Sequence, residues 1–124
     1  MINRFDHIVL TVADIERAVD FYHRVLQMEP VTFANGRRAV RFGQQKINFQ
    51  LLGQEPRNQA KVGSGDLCLI TNWSLEQVTE HLTAQNVEII EGPVTKSGAL
   101  GAITSVYFLD PDQNLVEVSV YPEC

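Results

Sequence analysis

The stretch FDHIVLTVADIERAVDFYHRVL, residues 5 to 26, can be laid over SGDLCLITNWSLEQVTEHLTAQ, residues 64 to 85, and this superposition decides how the rest of the chain is read. Both copies run from an apolar, strand-like segment through a short turn into an amphipathic helix. In the first, Asp14 can cap the helix, and Ile15, Ala18, Val19, Tyr22, Val25 and Leu26 recur at helical spacing. In the second, Ser74 is the natural N-cap with Gln77 three residues on, and Leu75, Val78 and Leu82 make the stripe. A unit repeated at this length is a supersecondary element used twice.

The segments after the two helices match as well. After the first helix come PVTFA, RRAVRFG and KINFQLL, with turns at Asn35-Gly36 and Gly43-Gln44-Gln45. After the second come VEIIEGPVT, ITSVYFLD and LVEVSVY, with a loop expected over KSGALGA and a tight turn over residues 110–114, DPDQN. The chain is therefore expected to be α+β: two tandem βαβββ modules, residues 1–53 and 66–124, joined by a polar linker at 54–65. Half a chain of this size buries little core alone, so the modules should combine as one domain with an eight-stranded cupped sheet, helices on one face.

Composition narrows the class. With 124 residues, 44% apolar and 20% charged, 8 Gly and 5 Pro, the chain is an ordinary globular protein rather than a disordered or fibrous one. A net charge of -5 argues against nucleic acid as a partner, which needs Lys and Arg gathered on one face. No apolar run reaches the roughly 18 residues of a membrane span and no signal-like segment opens the chain, so a cytoplasmic location is expected. Cys68 and Cys124 then read as free thiols.

Strand side chains alternate between faces. If the helices cover the apolar set (Ile8, Leu10, Val12; Ile47, Phe49, Leu51; Leu67, Leu69; Val116, Val118, Val120), the opposite face receives His7 and Thr11, Gln50, Asp66 and Glu117. Each alone is an unexceptional strand residue. Their placement on the first and last strands of both copies, His7 answering to Asp66 and Gln50 to Glu117, points to a pseudo-twofold site. Imidazole nitrogen, amide oxygen and carboxylate oxygens together can surround a divalent cation. The same alternation turns Arg41, Ser105 and Tyr107 toward this face, where they could bind a substrate, and leaves His23 and His81 exposed on the helices.

DHIVLTV, ADIERAVDFYHRVLQME and VYFLDPDQNLVEV resemble the vicinal oxygen chelate superfamily, which includes glyoxalase I, bleomycin and fosfomycin resistance proteins and extradiol dioxygenases. The resemblance covers essentially the whole chain. It implies His7, Gln50, Asp66 and Glu117 as metal ligands, with Glu117 also the catalytic base for proton abstraction next to a substrate carbonyl. Asp66 stands where many members carry His, which turns the set toward oxygen donors and suits Mn, Mg, Fe or Ni as well as Zn. It further implies a small-molecule substrate and a homodimer in which His7 and Gln50 of one chain face Asp66 and Glu117 of the other. The function expected is that of a metal-dependent lyase or isomerase of glyoxalase type; the alternatives are a non-enzymatic sequestering protein of bleomycin-resistance type and a dioxygenase-like protein.

Overall fold

Asp14 and Ser74 start the two helices. A computed structural model describes residues 1–122; Cys124, expected as a free thiol, lies outside them. The Asp14 carboxylate accepts from the Arg17 N–H at 3.0 Å, opening α1 (Ile15–Leu26). Ser74 Oγ accepts from the Gln77 N–H at 3.1 Å while Gln77 Oε1 accepts from the Ser74 N–H at 2.9 Å, a reciprocal cap on α2 (Leu75–Ala84). Such caps contribute about 1 kcal/mol each by pairing N–H groups that the first helical turn leaves open.

The eight strands are divided between two four-stranded sheets, each mixed and each with one helix in its module. In the first module β1 (His7–Thr11), β2 (Glu29–Phe33), β3 (Arg37–Phe42) and β4 (Gln45–Gln50) lie in the order β1-β4-β3-β2. In the second, β5 (Asp66–Ile70), β6 (Glu91–Gly98), β7 (Gly101–Leu109) and β8 (Leu115–Val120) lie in the order β5-β8-β7-β6. First and last strands of each module pair in parallel and the rest antiparallel. The chain forms two compact units: residues 1–65 with 111–113, and Asp66–Asp110 with the described residues from Asn114 onward.

In the first unit α1 runs from one sheet edge to the other and packs across β2, β3 and β4. Its buried face is Ala18, Val19, Phe21, Tyr22 and Val25, and the sheet answers with Leu10, Val40, Ile47 and Phe49. Tyr22 and Phe49 place their rings 5.5 Å apart. Each such side chain contributes about 1.5–3 kcal/mol by leaving water. Asp112, from the short segment that belongs to this unit, accepts from the Ala13 N–H and from Arg17 at 3.0 Å each. In the second unit the apolar set is Val106, Phe108, Val116 and Val118, with Val78 and Leu82 buried on α2.

Three local expectations change. KSGALGA is a tight hairpin, with Gly98 pairing Gly101 across a two-residue turn at Ala99-Leu100. Its glycines read as a loop, but a Cβ on Gly98 would meet Tyr121 Oη at 2.5 Å, and that hydroxyl accepts from the Leu100 N–H at 3.0 Å. Residues 87–90 precede β6 rather than forming its start, and the register shifts between Glu91 and Val94, where Pro93 supplies no N–H to the ladder. His81 is half-buried, not exposed, with its ring edge-on to Trp73; His23 is exposed as expected.

Gly92 is the most constrained glycine: its φ of +109° suits no other residue, and a Cβ there would run into the backbone of Ser105 and Val106. Gly36 shares a positive φ, +74°, but has open space around it. Urea unfolding followed by circular dichroism should show Gly36→Ala costing ~1 kcal/mol and Gly92→Ala ~3 kcal/mol or more. Equal costs would contradict the close approach at Gly92.

Candidate functional site

The parallel registers locate the four expected ligands. In β1–β4 the pairs run from His7 with Lys46 to Thr11 with Gln50, and in β5–β8 from Asp66 with Leu115 to Ile70 with Ser119. Lys46 thus corresponds to Leu115, Asn48 to Glu117 and Gln50 to Ser119. The repeat partner of Glu117 is Asn48 and not Gln50, a correction of two residues along the same face.

On the uncovered face of the second unit, Glu117 is 9% exposed and lies opposite Cys68 on one side and Tyr107 on the other. Ser105 Oγ donates to Glu117 Oε2 at 2.6 Å, Ser119 Oγ lies 3.3 Å from the same oxygen, and the two hydroxyls are 2.6 Å apart. Ser105, expected to touch substrate, is fully buried and braces this carboxylate instead. Burial, together with the hydrogen bond and charge of Glu117, pushes the Tyr107 phenol up to about 12, so at neutral pH it is a hydrogen-bond donor. Burial also raises the Cys68 thiol, helped by the Glu117 charge, which leaves it protonated and a poor nucleophile.

Glu117 and Tyr107 line a cavity of about 460 Å³ together with Cys68, Ile70, Lys96 and Tyr121. Asp66 lies on the same face, two residues from Cys68, and is exposed. Lys96 pairs with Glu91 at 3.2 Å and stands 5.5 Å from the Tyr107 ring centre. The cavity has apolar walls and one buried carboxylate.

On the uncovered face of the first unit, His7 Nδ1 lies 2.8 Å from Asp6 Oδ2, and Asp6 is held below the usual carboxylate range chiefly by that hydrogen bond. The arrangement leaves Nε2 available, and a carboxylate on the other ring nitrogen is the usual support of a metal-binding histidine. Gln50 is different. Its Nε2 donates to Thr11 Oγ1 at 2.9 Å and to Asn58 Oδ1 at 3.0 Å, and its Oε1 accepts from Asn58 Nδ2 at 3.3 Å. Both ends of the amide are engaged, so Gln50 braces β4 against the segment after it. Thr11, 2% exposed, shares this task and donates to the Ala60 carbonyl at 3.3 Å. Arg41 stands on this same face, in register with Lys46 and through it with His7, and its exposed side chain pairs with Glu29 at 2.8 Å.

Asn48 was not among the expected residues. It is 4% exposed, and its Oδ1 is buried without a hydrogen-bond partner, which costs about 1–3 kcal/mol. The signal in the sequence was NFQ itself, in which alternation permits either Asn48 or Gln50. The donor chemistry of His7 Nε2 and the two carboxylates suits a divalent cation, whereas the Gln50 amide is already hydrogen-bonded to Thr11 and Asn58. Among the described residues no three His, Cys, Asp or Glu side chains gather closely enough to hold a metal.

Comparison with known proteins agrees with this architecture. The family model described as Glyoxalase/Bleomycin resistance protein/Dioxygenase superfamily matches residues 4–118. The chain is 44% identical to the virulence protein STM3117 of Salmonella typhimurium over 98% of its length and 86% of that protein. It is 42% identical to the glyoxalase domain-containing protein RDO1 of Mycosarcoma maydis, covering 98% of this chain and 70% of the other. Among solved structures, the integron cassette protein VPC_CASS1 of V. Pseudocholerae superimposes with a TM-score of 0.95 at 52% identity, over 99% of this chain and 98% of that one. Two βαβββ modules, each with a parallel outer pair and one uncovered face, together with these matches, make the chain a member of the Glyoxalase/Bleomycin resistance protein/Dioxygenase superfamily.

Proposed function

We propose that the protein is a divalent-metal-dependent lyase or isomerase of glyoxalase type, with Glu117 as the base that removes a proton next to a substrate carbonyl. The observation that carries this reading is a buried carboxylate, braced by Ser105 and Ser119, at the wall of a ligand-sized cavity. His7 through Nε2, Asp66 and Glu117 would hold the cation, whether Zn, Ni, Mn, Mg or Fe. When bound, a divalent cation supplies Lewis-acid polarisation of a substrate oxygen. The chain's own groups do the rest. Two serine hydroxyls fix one carboxylate oxygen of Glu117, Tyr107 offers a neutral donor beside it, and Ile70 and Tyr121 shape the apolar part of the cavity.

The second reading, a small-molecule sequestering protein, is favoured by the aromatic and apolar walls of that same cavity. Metal content separates the two. Protein purified without chelator should carry close to one divalent ion per site by plasma mass spectrometry; His7→Ala and Glu117→Ala should each lower affinity by about 100-fold or more, while Gln50→Ala should keep the ion. A metal-free wild type would sink the enzyme reading.

Proton exchange tests Glu117 as the base. Small 2-oxo and 2-hydroxy carbonyl compounds incubated in deuterated buffer with the metal-loaded protein should exchange the proton next to the carbonyl, followed by proton NMR. Glu117→Gln should slow exchange by about 10²–10⁴-fold, and Ser105→Ala, which only loosens the carboxylate, by a smaller factor. Unchanged exchange in Glu117→Gln removes Glu117 as the base.

We also propose a homodimer in which His7 of one chain joins Asp66 and Glu117 of its partner. Mixing His7→Ala with Glu117→Ala chains should then restore metal binding at about a quarter of the wild-type sites, because each mixed dimer regains one intact site of two. A closed monomer restores none.

A further inference from the structure

The uncovered face of the first unit carries two buried polar atoms that the fold leaves without hydrogen-bond partners, Asn48 Oδ1 and Arg37 Nε. They are diagonal neighbours: Asn48 pairs with Ala39 across β3–β4, and Arg37 stands two residues back along β3 on the same face. A side chain as long as arginine reaches across such a diagonal. One atom is an acceptor and the other a donor, yet they do not bond to each other. The second unit supplies the contrast, since Ser105 and Glu117 hold the same two repeat positions and are hydrogen-bonded at 2.6 Å.

The reason lies in where the arginine goes. Its guanidinium is carried over the Phe33 ring, 5.4 Å from the centre, and the Lys46 ammonium comes to the same ring at 3.6 Å. Among the described residues neither cation is in an ion pair. Of the carboxylates that feel them, Glu55 has both oxygens bound by Arg57, at 2.7 and 2.9 Å, and Asp6 has one bound by His7 at 2.8 Å. On a chain with a net charge of -5, two uncommitted cations beside an uncommitted acceptor are a specific combination.

We infer that this face binds an oxyanion flanked by a hydroxyl, the oxyanion taken by Arg37 and Lys46 and the hydroxyl donating to Asn48 Oδ1. A plain carboxylate would satisfy the cations and leave Asn48 unpaired. A neutral alcohol would do the reverse. A 2-hydroxycarboxylate and a hydrogen phosphate group both carry the full pattern. Binding of this kind goes beyond the proposed activity and requires no metal, so chelator-treated protein tests it separately from the metal reading.

The experiment titrates the full chain at pH 7 and constant ionic strength with glycolate, acetate, inorganic phosphate and sulfate, following the Asn48 side-chain amide by NMR. Glycolate should bind about tenfold tighter than acetate, or phosphate than sulfate, because a site that pairs a hydroxyl rejects the analogue lacking it. The pair that shows the difference identifies the source of the oxyanion. Asn48→Leu should abolish the preference for the hydroxyl-bearing member, read by thermal shift, and Arg37→Gln should weaken binding of all four ions. If Asn48→Leu does not fold, Asn48→Asp, which keeps the size and repels the oxyanion, must weaken glycolate or phosphate. Equal binding within both pairs, no binding up to about 50 mM, or unchanged binding in Asn48→Asp or Arg37→Gln overturns the inference.

Discussion

Parallel pairing of the first and last strands of each module is the constraint on which the rest of the structure depends. Parallel neighbours cannot be joined by a tight turn, and the helix that leaves β1 or β5 must return at the opposite edge of its sheet. In the first unit α1 consequently lies across β2, β3 and β4 and buries one face. The other face has no element of its own module to cover it and can hold polar groups. The ladder continues one bond beyond each parallel pair in the same way, with the Val12 N–H donating to Gln50 O at 2.8 Å and the Thr71 N–H to Ser119 O at 3.0 Å. That identity of register makes the two units true repeats.

Alternation made the faces legible in the sequence, because a strand turns every second residue to the same side. It placed His7, Asp66 and Glu117 on the uncovered face, and the caps at Asp14 and Ser74 fixed where each helix begins. Register was not legible. A shift of two residues preserves the face, so Gln50 and Asn48 satisfied the same pattern until the pairing of Val9 with Asn48 and Cys68 with Glu117 separated them. The hairpin at Gly98 and Gly101 was hidden for another reason: its glycines answer to the Tyr121 ring, a contact that no local pattern encodes.

The duplicated scaffold has been put to different chemical use in its two copies. Around Glu117 the second unit gathers small hydroxyls, Ser105 and Ser119, which satisfy the carboxylate from within. Around Asn48 the first unit has Arg37 where the other has Ser105, Gln50 where it has Ser119, Ala39 where it has Tyr107 and Val9 where it has Cys68. Gln50 turns away to Thr11 and Asn58, and Val9 and Ala39 offer no hydrogen bond. Among the described residues no donor completes Asn48 Oδ1.

Buried polar groups without partners oppose folding, at about 1–3 kcal/mol each, against a net stability of about 5–15 kcal/mol for a domain. A leucine at position 48 would remove the cost of the acceptor, and the second unit shows the same diagonal closed, by Ser105 on Glu117 at 2.6 Å. The same backbone register therefore tolerates a cheaper solution than the one the first unit uses. The open acceptor of Asn48 and the open donor of Arg37, a diagonal apart on the sheet, with the Lys46 ammonium on the same aromatic ring as the guanidinium, store binding capacity in place of stability.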